Sequence, residues 1–136
     1  MIQLNRYLGI VRASAWYDLV ITIGFATPWT FAAIHHNLNI LILKFGLPGE
    51  FPVFAPVHML MANLLGSIVT VWAIIRLQDT QRVFGRYDAV ARFLFATWQI
   101  YAVAHGANVI ILVFTLFEIA FGVAESLSIK DGDLPT

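Results

Sequence analysis

The chain contains no cysteine, which excludes disulfides, thiolate-held metals and a cysteine nucleophile, and leaves the redox compartment unmarked. It is also poor in charge: 12% of its residues are Asp, Glu, Lys or Arg, where a soluble domain carries about a quarter. Eight basic and eight acidic side chains cancel, and no basic patch stands out of the kind that tracks nucleic acid, so no nucleic-acid partner is expected. A glycine-rich phosphate loop, a nucleophile elbow and a His-Glu-x-x-His motif are all missing, which counts against a nucleotide-driven pump and a hydrolase. No catalytic constellation is recognisable, and a non-enzymatic role is the expectation.

What remains is apolar. Of 136 residues, 60% are hydrophobic, and the mean hydropathy is +0.79. That excess needs lipid to cover it, so the composition predicts one transmembrane domain over 1–136, with the bilayer as its first partner.

A 30-residue pattern occurs twice. Arg6–His35 aligns without gaps on Arg76–His105, and ten positions are identical: Arg6/Arg76, Arg12/Arg82, Tyr17/Tyr87, Asp18/Asp88, Val20/Val90, Phe25/Phe95, Ala26/Ala96, Thr27/Thr97, Ala32/Ala102 and His35/His105. Shared hydrophobicity does not produce matched Arg, Tyr, Asp, Thr and His. The pattern predicts an internal duplication, with repeat one about 6–75 and repeat two about 76–127.

The expected fold is all-α: an integral membrane four-helix bundle built from two tandem two-helix repeats, with helices at about 15–34, 57–75, 87–104 and 107–127. Ser14 is a natural N-cap for the first, which holds about the 20 apolar residues a span requires. Its internal copy argues against a cleaved signal peptide. The apolar run 40–45 is too short to cross, and Pro48, Pro52 and Pro56 stop it from lengthening, so an interfacial or re-entrant segment is predicted there. The tail from Ser128, with Asp131-Gly132-Asp133 and Pro135, reads as a frayed, solvated end.

Positive charge sets the orientation. Arg6, Arg12, Arg76, Arg82, Arg86 and Lys130 flank one side and Lys44 alone the other, predicting a multi-pass protein of the cell inner membrane with both termini cytoplasmic. The repeat motif Arg12, Tyr17, Asp18 and Arg82, Tyr87, Asp88 then lies at the cytoplasmic interface. There tyrosines anchor at headgroup level, and aspartates complement helix N-termini.

Glu118, near the middle of the last predicted helix, is the most informative residue, because an intramembrane carboxylate is costly and faces the bundle or an aqueous cavity. Helical spacing places Asn108, Thr115, Glu118, Gly122 and Glu125 on one face. It likewise groups Asp88, Arg92, Ala96 and Gln99, and Asn63, Gly66, Ser67 and Thr70. The expected intramembrane polar site is Glu118, Arg92, Gln99 and Asn63, with Arg92 and Glu118 at similar depth and within pairing reach. Four histidines, His35, His36, His58 and His105, fall near the outer face and are the candidate ligands for a transition metal or haem. No compact ligand spacing supports them, and no cofactor is the expectation, with haem or a transition metal the alternative. Trp16 and Trp72 suit an interfacial belt, and Trp29 and Trp98, deeper, are expected to pack in the core or against lipid, with a pocket for an apolar ligand the alternative.

Three functions fit. The first is an accessory or assembly subunit of a larger membrane complex, favoured by the absent catalytic constellation and small polar portion. The second is a small homo-oligomeric transporter or channel using Glu118 and Arg92. The third is a haem-, metal- or quinone-linked redox protein using the outer histidines.

Overall fold

The computed structural model describes residues 1–130. Five α-helices account for most of them: α1 (Leu4–Thr22), α2 (Pro28–Phe45), α3 (Pro56–Gln78), α4 (Arg82–Ala104) and α5 (Ile111–Glu125), with a 3-10 turn at Ile23–Phe25. The fold is all-α, with no strand among the described residues. Isolated bridges join Ile2 to Ile129 and Glu50 to Ala107.

Two stretches, Leu4–Phe25 and Pro56–Gln78, are long and apolar enough to cross a membrane. The other predicted spans are less clear-cut. α5 has 15 residues, about 22 Å of helix against a hydrocarbon core of about 30 Å. α4 carries Arg82, Arg86, Asp88 and Arg92 in its first half.

The predicted helix 15–34 is instead two helices. α1 begins eleven residues earlier, at Leu4, and the chain breaks between Phe25 and Pro28. Thr27 adopts an extended backbone (φ −130°, ψ 150°), and its Oγ1 accepts a hydrogen bond from the Thr30 amide at 3.2 Å. Pro28 follows at the first helical position, where its missing N–H costs nothing, and it disfavours helical geometry for the residue before it. Ser14 is therefore no N-cap: it lies buried in the middle of α1. The equivalent Phe95-Ala96-Thr97 is followed by Trp98, and α4 runs straight through it, with Thr97 Oγ1 donating to the Phe93 carbonyl at 2.7 Å.

The run 40–45, expected at an interface, forms the last turns of α2. Gly46 in the left-handed region (φ 59°) terminates it, as L-residues with a Cβ seldom can. The loop that follows is pinned to the α4–α5 connection. Glu50 N–H donates to Gly106 O at 2.7 Å, Asn108 N–H to Glu50 O at 3.0 Å, and Val109 N–H to Pro48 O at 3.1 Å. Buried Asn108 adds side-chain bonds to the carbonyls of Leu47 and Gly49. Asn108 thus belongs to this clasp and not to the helical face expected for it.

α1 lies along α3 and α4 along α5; α1 also touches α4 and α5, whereas α3 and α4 barely meet. Small residues permit these approaches, as between membrane helices: a Cβ at Gly66 would strike the Phe25 backbone, and one at Gly85 the Tyr7 ring. Residues Ser128–Lys130 are not frayed, since Ile2 N–H donates to Ser128 O at 2.9 Å and Lys130 N–H to Ile2 O at 3.0 Å. Asp131, Gly132, Asp133 and Pro135 lie outside the described residues.

Candidate functional site

The interior is charged where a soluble core would be apolar. Asp18, Arg76, Asp88, Arg92, Glu118 and Glu125 are all buried, drawn from four different helices, while Leu43, Ile68 and Leu116 are among the large apolar side chains left outside.

Arg92, on α4, is the centre. It is only 2% exposed. Its Nε donates to Asp88 Oδ2 at 2.8 Å, one turn back on the same helix. Nη1 donates to Glu118 Oε2 at 2.8 Å, so the pair expected from their depths is made within one chain. Nη2 donates to Asp18 Oδ1 at 2.8 Å and to Ser14 Oγ at 2.7 Å. Its guanidinium carbon also sits 5.0 Å from the Phe121 ring centre and 5.8 Å from that of Tyr17.

Arg76, expected as an interfacial flank, is 0% exposed and faces the same carboxylates. α3 continues past it to Gln78, which carries the side chain inward. Arg76 bridges to Asp18 through Nη2 and to Asp88 Oδ2 through Nη1 at 2.6 Å. Ser14 Oγ accepts from Arg76 and Arg92 and donates to Asp88 Oδ2 at 3.0 Å. Asp88 Oδ1 receives the indole N–H of Trp72 at 2.8 Å.

Asp18 and Asp88 are therefore not anchors at helix N-termini. They lie inside α1 and α4 and pair with buried guanidiniums, which offsets part of the several kcal/mol each buried ion costs. The rest of the repeat motif stays out: Arg12, Arg82 and Tyr87 are exposed. Tyr17 stacks on Phe117 with ring centres 5.0 Å apart, and its buried hydroxyl has no hydrogen-bond partner among the described residues.

Charge does not balance. Among the described residues, four buried carboxylates face two buried guanidiniums. Glu125 is 0% exposed, and neither of its carboxylate oxygens makes a hydrogen bond. Its Oε2 is 3.6 Å from Arg92 Nε, and its Oε1 is 4.0 Å from Arg76 Nη1. Its backbone carbonyl is well held, by Tyr7 Oη at 2.7 Å and Arg86 Nη1 at 2.9 Å.

The network is reached from one side. Where α3 and α4 separate, a half-open cleft of about 310 Å³ runs in between them. Ile68, Val69, Tyr87, Ala91 and Phe95 wall it, and Asp18, Asp88 and Arg92 form its floor beside Trp72.

The other expected polar residues are engaged elsewhere. Gln99 Oε1 accepts from Thr115 Oγ1 at 2.8 Å, further along the α4–α5 contact. Asn63 Nδ2 donates to the Phe25 carbonyl at 2.8 Å and fixes the end of the 3-10 turn to α3. Neither joins Arg92 and Glu118. The histidines do not gather either, and no group of three or more His, Asp or Glu among the described residues is placed to hold a metal. His35 Nε2 bonds Pro52 O at 2.9 Å and its ring stacks on Phe51, whereas His105 turns back to Tyr101 O at 2.8 Å. His58 packs edge-on to Phe54, and His36 is exposed. His35 and His105 are thus hydrogen-bonded within their own neighbourhoods. Trp29 and Trp98 are exposed, and neither lines the α3–α4 cleft.

Sequence reasoning missed Ser14, Arg76 and Trp72 as members of the network. One signal was present for Arg76: Leu77 follows it and no Gly or Pro intervenes to stop the helix at the arginine. Comparison with protein families, with curated proteins and with solved structures finds no match to this chain.

Proposed function

We propose that the chain is a small integral membrane carrier, crossing the bilayer with α1, α3, α4 and α5 and coupling proton movement to a substrate that reaches the charged network through the α3–α4 cleft. The observation that carries this reading is the imbalance of the buried network, four carboxylates against two guanidiniums. A surplus of two negative charges is not stable in a low-dielectric interior, and protons or a bound cation must offset it. A network that serves only to fix helix register is better neutral. One that exchanges counter-charges needs the surplus.

Several features support the membrane setting. Large apolar side chains face outward on every helix and charge lies within, the arrangement lipid selects. Arg6, Arg12, Arg82, Arg86 and Lys130 flank the end that holds the N-terminus, and Lys44 the other, in keeping with an inner-membrane protein whose termini are cytoplasmic. α2 and the loop after it then cap the outer end. The matched Tyr-Asp motifs fit an origin by duplication, with Pro28 a later divergence in copy one. α4 and α5 cross because they bury their charges against each other and against α1 and α3, not because each is apolar alone.

The test is reconstitution of the full chain in proteoliposomes with an internal pH dye. An imposed substrate gradient should move protons, and Glu118→Gln should abolish that flux while the purified variant keeps its helix content and oligomeric state. Wild-type flux in Glu118→Gln would remove the reading.

A second reading, an accessory subunit of a membrane complex, is favoured by one observation: Trp29 at the start of α2 and Val53 in the loop after it are 80% and 88% exposed. Gentle purification from native membranes with mass spectrometry separates the two, since a stoichiometric partner protein supports the subunit and a lone homo-oligomer the carrier.

A further inference from the structure

Glu125 is the one buried carboxyl that the network leaves without a donor, and its position identifies where a proton is kept. We infer that Glu125 is held as the neutral acid and carries the resident proton of the network, while Asp18, Asp88 and Glu118 stay ionised against Arg76 and Arg92. The inference rests on the buried charges from which the carrier reading starts, and deepens that reading, but it uses no transport step.

Glu125 and Asp88 compete for the same two nitrogens. Asp88 Oδ2 lies 2.6 Å from Arg76 Nη1 and 2.8 Å from Arg92 Nε. Glu125 approaches these same atoms from further off, Oε1 at 4.0 Å from Arg76 Nη1 and Oε2 at 3.6 Å from Arg92 Nε. The near position is taken, so Glu125 stands behind Asp88 on one shared site. Two carboxylates on one buried site retain a proton between them, because like charges held together do not both ionise.

The donors decide which of the two keeps it. Asp88 receives the Trp72 indole, the Ser14 hydroxyl and both guanidiniums. Ser14 has a single hydroxyl proton, and it goes to Asp88. Neither carboxyl oxygen of Glu125 receives a hydrogen bond, and the residue is fully buried, so bulk water does not reach it. A carboxylate in that position bears the full cost of burying a charge, and neutralises instead.

No other counter-charge suits the place. Glu125 does not line the α3–α4 cleft, and no group of three or more His, Asp or Glu among the described residues is placed to hold a metal ion. A proton needs no coordination shell. The other titratable or charged groups facing this end of the network are Tyr7 and Asp18 from α1, Arg86 from α4, and Glu118 two turns back on α5. Tyr7 and Arg86 donate to the backbone carbonyl of Glu125, not to its carboxyl. Glu118 accepts from Arg92 and keeps 11% of its side chain exposed. With Glu125 neutral, the surplus falls from two negative charges to one, and that one is left for the proposed carrier to exchange through Glu118.

The experiment is infrared spectroscopy of the purified full chain in non-ionic detergent at neutral pH, unlabelled and with the side-chain carboxyl of glutamate isotope-labelled. The C=O stretch of a neutral carboxylic acid stands apart from the amide and carboxylate bands. The chain has three glutamates, Glu50, Glu118 and Glu125. One such band is expected, moved to lower frequency by the heavy-carbon label, lost in Glu125→Gln and retained in Glu118→Gln. Where Glu125→Gln does not fold, the double variant Glu50→Gln with Glu118→Gln leaves Glu125 as the only glutamate, and the label-sensitive band should remain. A spectrum with no glutamic acid band, or a band that disappears when Glu118 is replaced, would overturn the inference. The band without proton flux in proteoliposomes leaves the inference standing and removes the carrier reading. Proton flux without the band does the reverse.

Discussion

Asp18 and Asp88, the aspartates of the two Tyr-Asp motifs, close on the same two guanidiniums. Asp18 meets Arg76 Nη2 and Arg92 Nη2, and Asp88 Oδ2 meets Arg76 Nη1 and Arg92 Nε. The arginines come from α3 and α4, so one contact set ties α1, α3 and α4 together at a single depth, and Glu118 adds α5.

Removing Arg92 should be the most damaging single change in the protein. Arg92→Met keeps the stem but leaves Asp18, Asp88 and Glu118 without their shared partner. Breaking a buried ion pair from one side typically costs about 3–5 kcal/mol. Loss of the folded protein in detergent, or a steep fall in its melting temperature, is expected. A stability unchanged from wild type would mean that the charges are hydrated and not buried.

The carboxylates should not be equivalent. Asp88 receives Trp72, Ser14, Arg76 and Arg92, and Asp88→Asn should destabilise by about 1–3 kcal/mol through donors left unpaired. Glu125 makes no side-chain hydrogen bond and adds to a surplus of like charge. Glu125→Gln should be neutral or stabilising by the same unfolding assay. The opposite ranking would show that Glu125, not Asp88, holds the guanidiniums.

Trp72→Phe tests the indole bond alone. It keeps an aromatic ring against Phe84, whose centre lies 5.5 Å away, and removes the N–H that donates to Asp88. A hydrogen bond to a charged group contributes about 1.5–3 kcal/mol. A loss in that range is expected, and a loss near zero would mean that the indole N–H does not hold Asp88.

The two Phe-Ala-Thr tripeptides should respond differently to one substitution. Thr27→Ala removes the cap of α2 and should cost about 1 kcal/mol. Thr97→Ala, inside α4, removes only a bond to the preceding turn and should be nearly neutral, since alanine favours helix interiors. Equal effects would mean that the break before Pro28 does not depend on its cap.

The clasp at the opposite end can be opened without touching the charges. Gly49 has φ 103°, and a Cβ there would collide with the Ala107 carbonyl and Asn108. Gly49→Ala should release the loop 46–55, read as faster cleavage there by an added protease. Cleavage at the wild-type rate would mean that the loop already opens freely.

Much of the local structure could be read from the chain. Helix type, the apolar excess and the shared faces of Asp88 with Arg92, and of Thr115 with Glu118 and Glu125, follow from a 3.6-residue period acting over one or two turns. Pro28 and Thr27 signal the break in the first predicted helix, and were outweighed there by the length of the apolar run. The start of α1 at Leu4 is masked because Arg6 and Arg12, both exposed, make residues 1–13 read as a short amphipathic lead.

The sequence by itself determined an all-helical, apolar chain with a few charges that had to find one another, because hydropathy and periodicity are local properties summed along it. Only the tertiary structure decided which charges meet. Whether Asp18 faces lipid, water or Arg76 depends on the rotation and axial shift of α1 against α3 and α4, and those are set by Gly66 and Gly85 at the helix crossings and by the bridge from Ile2 to Ile129. One residue of axial slip moves a side chain about 1.5 Å along the helix and about 100° around it. That is enough to part the ion pairs between helices, leaving only Asp88–Arg92 within α4, so no reading of single segments could have assembled the network.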